Sequence, residues 1–78
     1  MKKITIYTTP WCVYCKMTKA FFKEQNVQYE EKDVSTDAAA RDEMIAKSQQ
    51  MGVPVIDIDG ELTVGFDKER LSQLLNIK

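Results

Sequence analysis

Histidine is missing from the 78 residues, cysteine and proline occur only twice each, and glycine occurs three times. Each shortage removes a class of function. Without histidine there is no Cys-His pair of the kind that activates an acyl-transfer thiol, and two cysteines furnish only half of a four-ligand zinc shell. Two cysteines are also too few for a disulfide scaffold. No repeat, linker or low-complexity tract interrupts the chain. Long hydrophobic runs are missing as well. The opening MKKITIYTTPW alternates and breaks at Pro10 before a signal-peptide core of the usual length. Nothing approaches the ~20 apolar residues of a membrane helix. Nor does one sign of charge dominate: 11 basic and 12 acidic residues leave a net charge of -1, with no general attraction to a polyanion. The expectations are no nucleic-acid partner, no membrane partner and cytoplasmic residence. There a close cysteine pair does redox or metal chemistry more often than permanent bracing.

What is present reads as one soluble domain spanning 1–78, expected to be monomeric, with 44% hydrophobic and 29% charged residues. A chain this short has a thin core. KITIY (3–7) is β-branched and aromatic, with Ile4 and Ile6 on one face, and predicts a first strand. KMTKAFFKEQ (16–25) has Met17, Ala20 and Phe21 at helical spacing, so a first helix begins near the cysteines. VQYEEKDV (27–34) alternates through Val27 and Tyr29 and predicts a second, more polar strand. Ser35 to Asp37 supply N-cap residues for a second helix carrying Ala40, Met44 and Ile45, with Gly52 just beyond its end.

Asp59-Gly60 lies between two alternating runs in VPVIDIDGELTV (53–64), a strong hairpin signal. Asp67 then caps a third helix through Leu75, with Phe66 and Leu71 as a hydrophobic staple. The order is β-α-β-α-β-β-α. Strand-helix-strand units imply parallel pairing and the hairpin implies antiparallel pairing, so the fold class is α/β with a mixed four-stranded sheet and three helices.

Both cysteines fall in TPWCVYC, three positions apart, at the predicted start of the first helix. The unpaired N–H groups and the positive dipole end of such a helix stabilise a thiolate, which makes Cys12 the candidate nucleophile. Cys15 returns to the same side of the helix one turn later, within disulfide reach, and is the candidate resolving thiol. Cys12 would attack a substrate disulfide, and Cys15 would then displace the reduced product by closing the internal bridge. Two other readings stand beside this one. The cysteines can be small core residues, or a dimer can share a metal or iron-sulfur centre through Cys12.

CVYC, GVP and VGFD, with the lengths between them, resemble the glutaredoxin family of the thioredoxin superfamily over essentially the whole chain. CVYC corresponds to the family's C-P-Y-C, GVP to T-V-P, and VGFD to G-G-C-D. Gly65-Phe66 also resembles the NrdH-redoxins, which take electrons from thioredoxin reductase. The resemblance implies a thioredoxin-like fold with Pro54 in a cis peptide facing the redox pair. It implies a thiol-disulfide oxidoreductase with no bound cofactor, acting on disulfide-containing proteins or glutathione mixed disulfides, with glutathione or thioredoxin reductase as electron donor.

Around the catalytic pair Cys12 and Cys15, the resemblance assigns substrate contacts to Tyr14, Val53 and Pro54, and the glutathione amino group to Asp67. Trp11, directly before Cys12, is thioredoxin-like and suits either docking of a protein partner or half-burial beside the turn. Asp67 also reads as a simple helix cap. Thr9 stands where glutathione-using members often carry lysine, Val64 replaces the first glycine of G-G-C-D, and Arg41 aligns with a basic position of some members. A cluster-carrying glutaredoxin usually has C-G-F-S, whereas this chain keeps its second cysteine.

Overall fold

Five consecutive residues, ITIYT, build the central strand β1 (Ile4–Thr8), and all five are buried. Simple alternation would bury only one face. β1 lies between β2 (Glu30–Asp33) and β3 (Val55–Ile58), with β4 (Glu61–Val64) outside β3, so helices pack on both of its faces. The computed structural model describes residues 3–76. β1 runs parallel to β2 and antiparallel to β3, and β3 is antiparallel to β4. This is the mixed four-stranded sheet that the element order predicts.

Helices α1 (Val13–Glu24) and α3 (Lys68–Leu75) close one face of the sheet. There Ile4, Ile6, Ile56 and Ile58 meet Phe21, Phe22 and Leu71. α2 (Ala38–Ser48) closes the other, where Tyr7 and Val55 meet Val34, Ala40 and Met44. Tyr7 is buried whole, and its hydroxyl donates to the Glu43 carboxylate on α2. Lys32 and Lys47 reach the same carboxylate, and Lys47 also pairs with Asp57 at 3.0 Å. These charges tie α2 to the sheet beyond its short apolar stripe.

The second strand is shorter than its pattern suggests. Val27 and Tyr29 precede the ladder, which begins where Thr5 meets Glu30. Asn26 adopts the left-handed conformation (φ 56°) after the last turn of α1. Its N–H donates to Lys23 O at 3.1 Å, and the Val27 N–H donates to Phe22 O at 2.8 Å. This pair of bonds is a Schellman closure, in which the residue after the left-handed one packs back on the helix. Val27 therefore joins the Phe22 cluster as part of a helix stop, and the Tyr29 ring lies tilted against the Phe22 ring with centroids 5.3 Å apart. Their alternation mimics a strand.

The second helix ends at Ser48, and its left-handed cap is Gln49 (φ 59°), so Gly52 does not serve as the stop. Asp37, last of the three cap-forming residues, accepts the Ala40 N–H at 3.0 Å. At the hairpin, Asp59 (φ 52°) and Gly60 (φ 91°) are both left-handed, as a two-residue turn matched to strand twist requires. Phe66 packs in the same cluster as Leu71, as the staple predicts.

Candidate active site

Thr9-Pro10-Trp11-Cys12 forms a tight turn at the end of β1, closed by the Cys12 N–H on Thr9 O at 3.3 Å. Proline suits the second position of such a turn because its φ is already set. The turn leaves Trp11 73% exposed and delivers Cys12 to the N-cap of α1. Its Sγ accepts the Cys15 N–H at 3.1 Å. Oxygen-bearing side chains are the preferred caps, and a thiolate accepts a hydrogen bond far better than a thiol. A sulfur in this position meets a backbone donor at the amino end of the helix.

Cys15 differs in every respect. It faces inward on α1, on the side that also buries Thr18 and Phe22, and is completely inaccessible. Burial, followed by its bonding to Cys12, pushes its thiol up to about 12. Both thiols are free, with Cys12 only half-buried. The pair therefore combines an accessible sulfur and a sealed one within a single helical turn. The core-residue reading accounts for Cys15 alone and leaves Cys12 unexplained.

The sheet brings the other segments that the sequence singles out to the same end of the molecule. Tyr7, at the carboxyl end of β1, pairs with Val55 at the start of β3, and Val55 pairs with Val64 at the end of β4. The turn carrying Cys12, the Val53-Pro54 segment and the Gly65–Asp67 segment all leave the sheet at that edge. The Val53-Pro54 peptide is cis. Pro54 is buried and its carbonyl accepts the Gly65 N–H at 2.8 Å. Val53 is half-buried and lies outside the strand ladder. Tyr14 is 60% exposed on the first turn of α1. Asp67 accepts the Arg70 N–H at 3.1 Å, so it caps α3 as the sequence predicts. Arg41 is exposed on α2, a helix that packs on the opposite face of the sheet from α1.

Two charged residues next to the pair escape a reading by motif. Lys19 lies one turn beyond Cys15 and pairs with Glu31 of β2 at 2.8 Å, and the buried Thr8 hydroxyl donates to the same carboxylate at 2.9 Å. The four-residue step from Cys15 to Lys19 was the available signal. Among the described residues, no group of three or more histidine, cysteine, aspartate or glutamate side chains is arranged to hold a metal ion.

The glutaredoxin family profile matches residues 4–63. An uncharacterized glutaredoxin-like 8.6 kDa protein from the rubredoxin operon of Clostridium pasteurianum is 44% identical over 72 residues, covering 92% of this chain and 96% of that protein. Among solved structures, the thioredoxin-like protein BC3987 superposes with a TM-score of 0.88 at 46% identity, over 92% of this chain and 99% of that one. The glutaredoxin-like protein NrdH-redoxin of Escherichia coli superposes with a TM-score of 0.82 at 26% identity, over 92% of this chain and 93% of that one. With its thioredoxin-like sheet and a cysteine capping the first helix, this chain belongs to the glutaredoxin family of thiol-disulfide oxidoreductases.

Proposed function

We propose that Cys12 and Cys15 are the reacting dithiol, with Cys12 the attacking sulfur and Cys15 the resolving one. The observation that carries this reading is the asymmetry of the pair. The accessible Cys12 sulfur receives the Cys15 N–H, while the Cys15 sulfur is sealed and held in its thiol form by burial. Cys12 attacks a substrate disulfide, forming a mixed disulfide and releasing one substrate thiol. Cys15 then attacks the Cys12 sulfur, the internal disulfide forms, and the second substrate thiol leaves. Two electrons pass from the dithiol to the substrate. No bound cofactor takes part.

The substrates are disulfide-containing proteins or glutathione mixed disulfides, engaged by Trp11, Tyr14, Val53 and Pro54 around Cys12. Exposed aromatics beside an accessible sulfur suit a protein partner, and the backbone of Val53, free of the ladder, suits an extended segment. Asp67 offers a carboxylate to the glutathione amino group from its capping position. The protein works as a cytoplasmic monomer. Glutathione and thioredoxin reductase are the two electron donors that fit this chemistry, and the NrdH-redoxin of Escherichia coli is described as having a thioredoxin-like activity profile.

Turnover with glutathione and glutathione reductase, measured against turnover with thioredoxin reductase, identifies the donor. The dithiol mechanism itself is tested by two variants. Cys15→Ser accumulates mixed disulfides on Cys12, and Cys12→Ser loses all exchange; undiminished exchange by the latter refutes the assignment.

A further inference from the structure

The proposed mechanism leaves one demand unmet. Cys15 has to act as a thiolate, yet it is fully buried and the chain contains no histidine to take its proton. The helix that carries it packs through Phe21 and Phe22 on Ile4, Ile6, Ile56 and Ile58 of the sheet and on Leu71 of α3. Among the described residues, the charged or titratable groups acting on this thiol are Cys12 and Lys19. Glu31 faces Lys19 from β2, with Tyr29 and Asp33 flanking that pair. β1 contributes the Thr8 hydroxyl.

Lys19 is the one fixed cation in this set. It stands four residues after Cys15, so the two lie on one helix face with Cβ atoms about 5–6 Å apart. Its ammonium is held by the Glu31 carboxylate at 2.8 Å, and that carboxylate is held in turn by Thr8, which is 1% exposed. Lys16 and Lys23 on the same helix are exposed instead. Each ion of the pair stabilises the other. Lys19 is the first cause holding the Glu31 carboxyl below its ordinary value, and Glu31 is the first cause holding the Lys19 ammonium above its own. A backbone hydrogen bond with Thr9 and, less strongly, the charge of Lys19 act to lower the Cys15 thiol, against the burial that raises it.

We propose that Lys19, anchored by Glu31 and Thr8, is a positioning residue for the resolving step, its cation favouring the anionic form of Cys15 as that sulfur attacks. The proposal rests on the dithiol reading given above. In the step, the proton of Cys15 passes to solvent and its sulfur bonds to Cys12. The Cys12–substrate disulfide breaks, and the departing thiolate takes a proton from water. The mixed disulfide is the only oxidant required.

The test is a stopped-flow reaction of the reduced full-length protein with dithiobis(nitrobenzoate), whose thiolate product is coloured. Attack by Cys12 releases one coloured thiolate, and resolution by Cys15 releases a second. In Lys19→Met the ratio of the second rate to the first falls about tenfold, the effect of roughly one pH unit in thiol ionisation. The pH profile of the second phase moves upward by a similar interval, Lys19→Arg restores both, and Lys16→Met leaves the ratio unaltered. An unchanged ratio and profile in Lys19→Met would overturn the proposal, as would an equal loss in Lys16→Met. Wild-type protein that releases only one equivalent contradicts the dithiol reading, and with it this proposal. Thermal unfolding of each variant separates a local effect on the thiol from loss of the fold.

Discussion

A cysteine is a poor choice of helix cap when stability is the sole requirement. Asp37 and Asp67 cap the other two helices through carboxylate oxygens, as propensity predicts, whereas α1 is capped by Cys12 sulfur. The exception falls where the proposed chemistry needs an accessible thiolate next to a backbone donor. Asp67 holds two assignments, and substitution separates them. Asp67→Ser keeps a capping oxygen but loses the charge, so its melting temperature stays near that of the parent while the KM for glutathione substrates rises. Asp67→Ala loses both, with a stability cost of about 1 kcal/mol. Steady-state kinetics beside thermal denaturation checks the pair.

At the scale of elements, the end of α1 decides where β2 can begin. Asn26 occupies a left-handed position, which costs an alanine about 1–2 kcal/mol. Asn26→Ala therefore lowers stability by about that amount in urea unfolding, while Asn26→Gly matches or exceeds the parent. Phe22, buried whole on the sheet side of α1 with its ring tilted against Tyr29, is a harsher test. Phe22→Ala costs about 3–5 kcal/mol, comparable with the whole stability of a domain this small. The capping aspartates, the Asp59-Gly60 hairpin and the spacing of the two cysteines were legible because each is a local rule spanning a few residues. The alternation through Val27 and Tyr29 starts the second strand too early because an apolar residue in a helix stop imitates a strand pattern. The ties from Lys19 to Glu31 and from Tyr7 to Glu43 span 12 and 36 residues, so no local pattern announces them.

Across the whole molecule, a mixed sheet with helices on both faces brings three loops to one edge and leaves α2 to be secured on the far face partly by charge. Glu43 is the centre of that attachment. Its hydrogen bond from Tyr7, then that from Lys32, holds its carboxyl down at about 2, from an ordinary value of 4.5. A depressed carboxylate contributes its full stabilisation above the unfolded value and loses it as pH falls through the folded one. Stability therefore declines on acidification from about pH 4.5 toward about 2. Glu43→Gln is less stable near neutrality and shows a flatter decline in that window, measured by urea unfolding at a series of pH values. This far-face attachment is distinct from the site edge, where the exposed aromatics and two sulfurs of unequal access carry the proposed chemistry.

That inequality is tested most directly by substoichiometric iodoacetamide on the fully reduced protein at neutral pH, followed by peptide mass spectrometry. The predicted result is label on Cys12 with Cys15 unmodified. Label on Cys15, or divided evenly between the two, would contradict it.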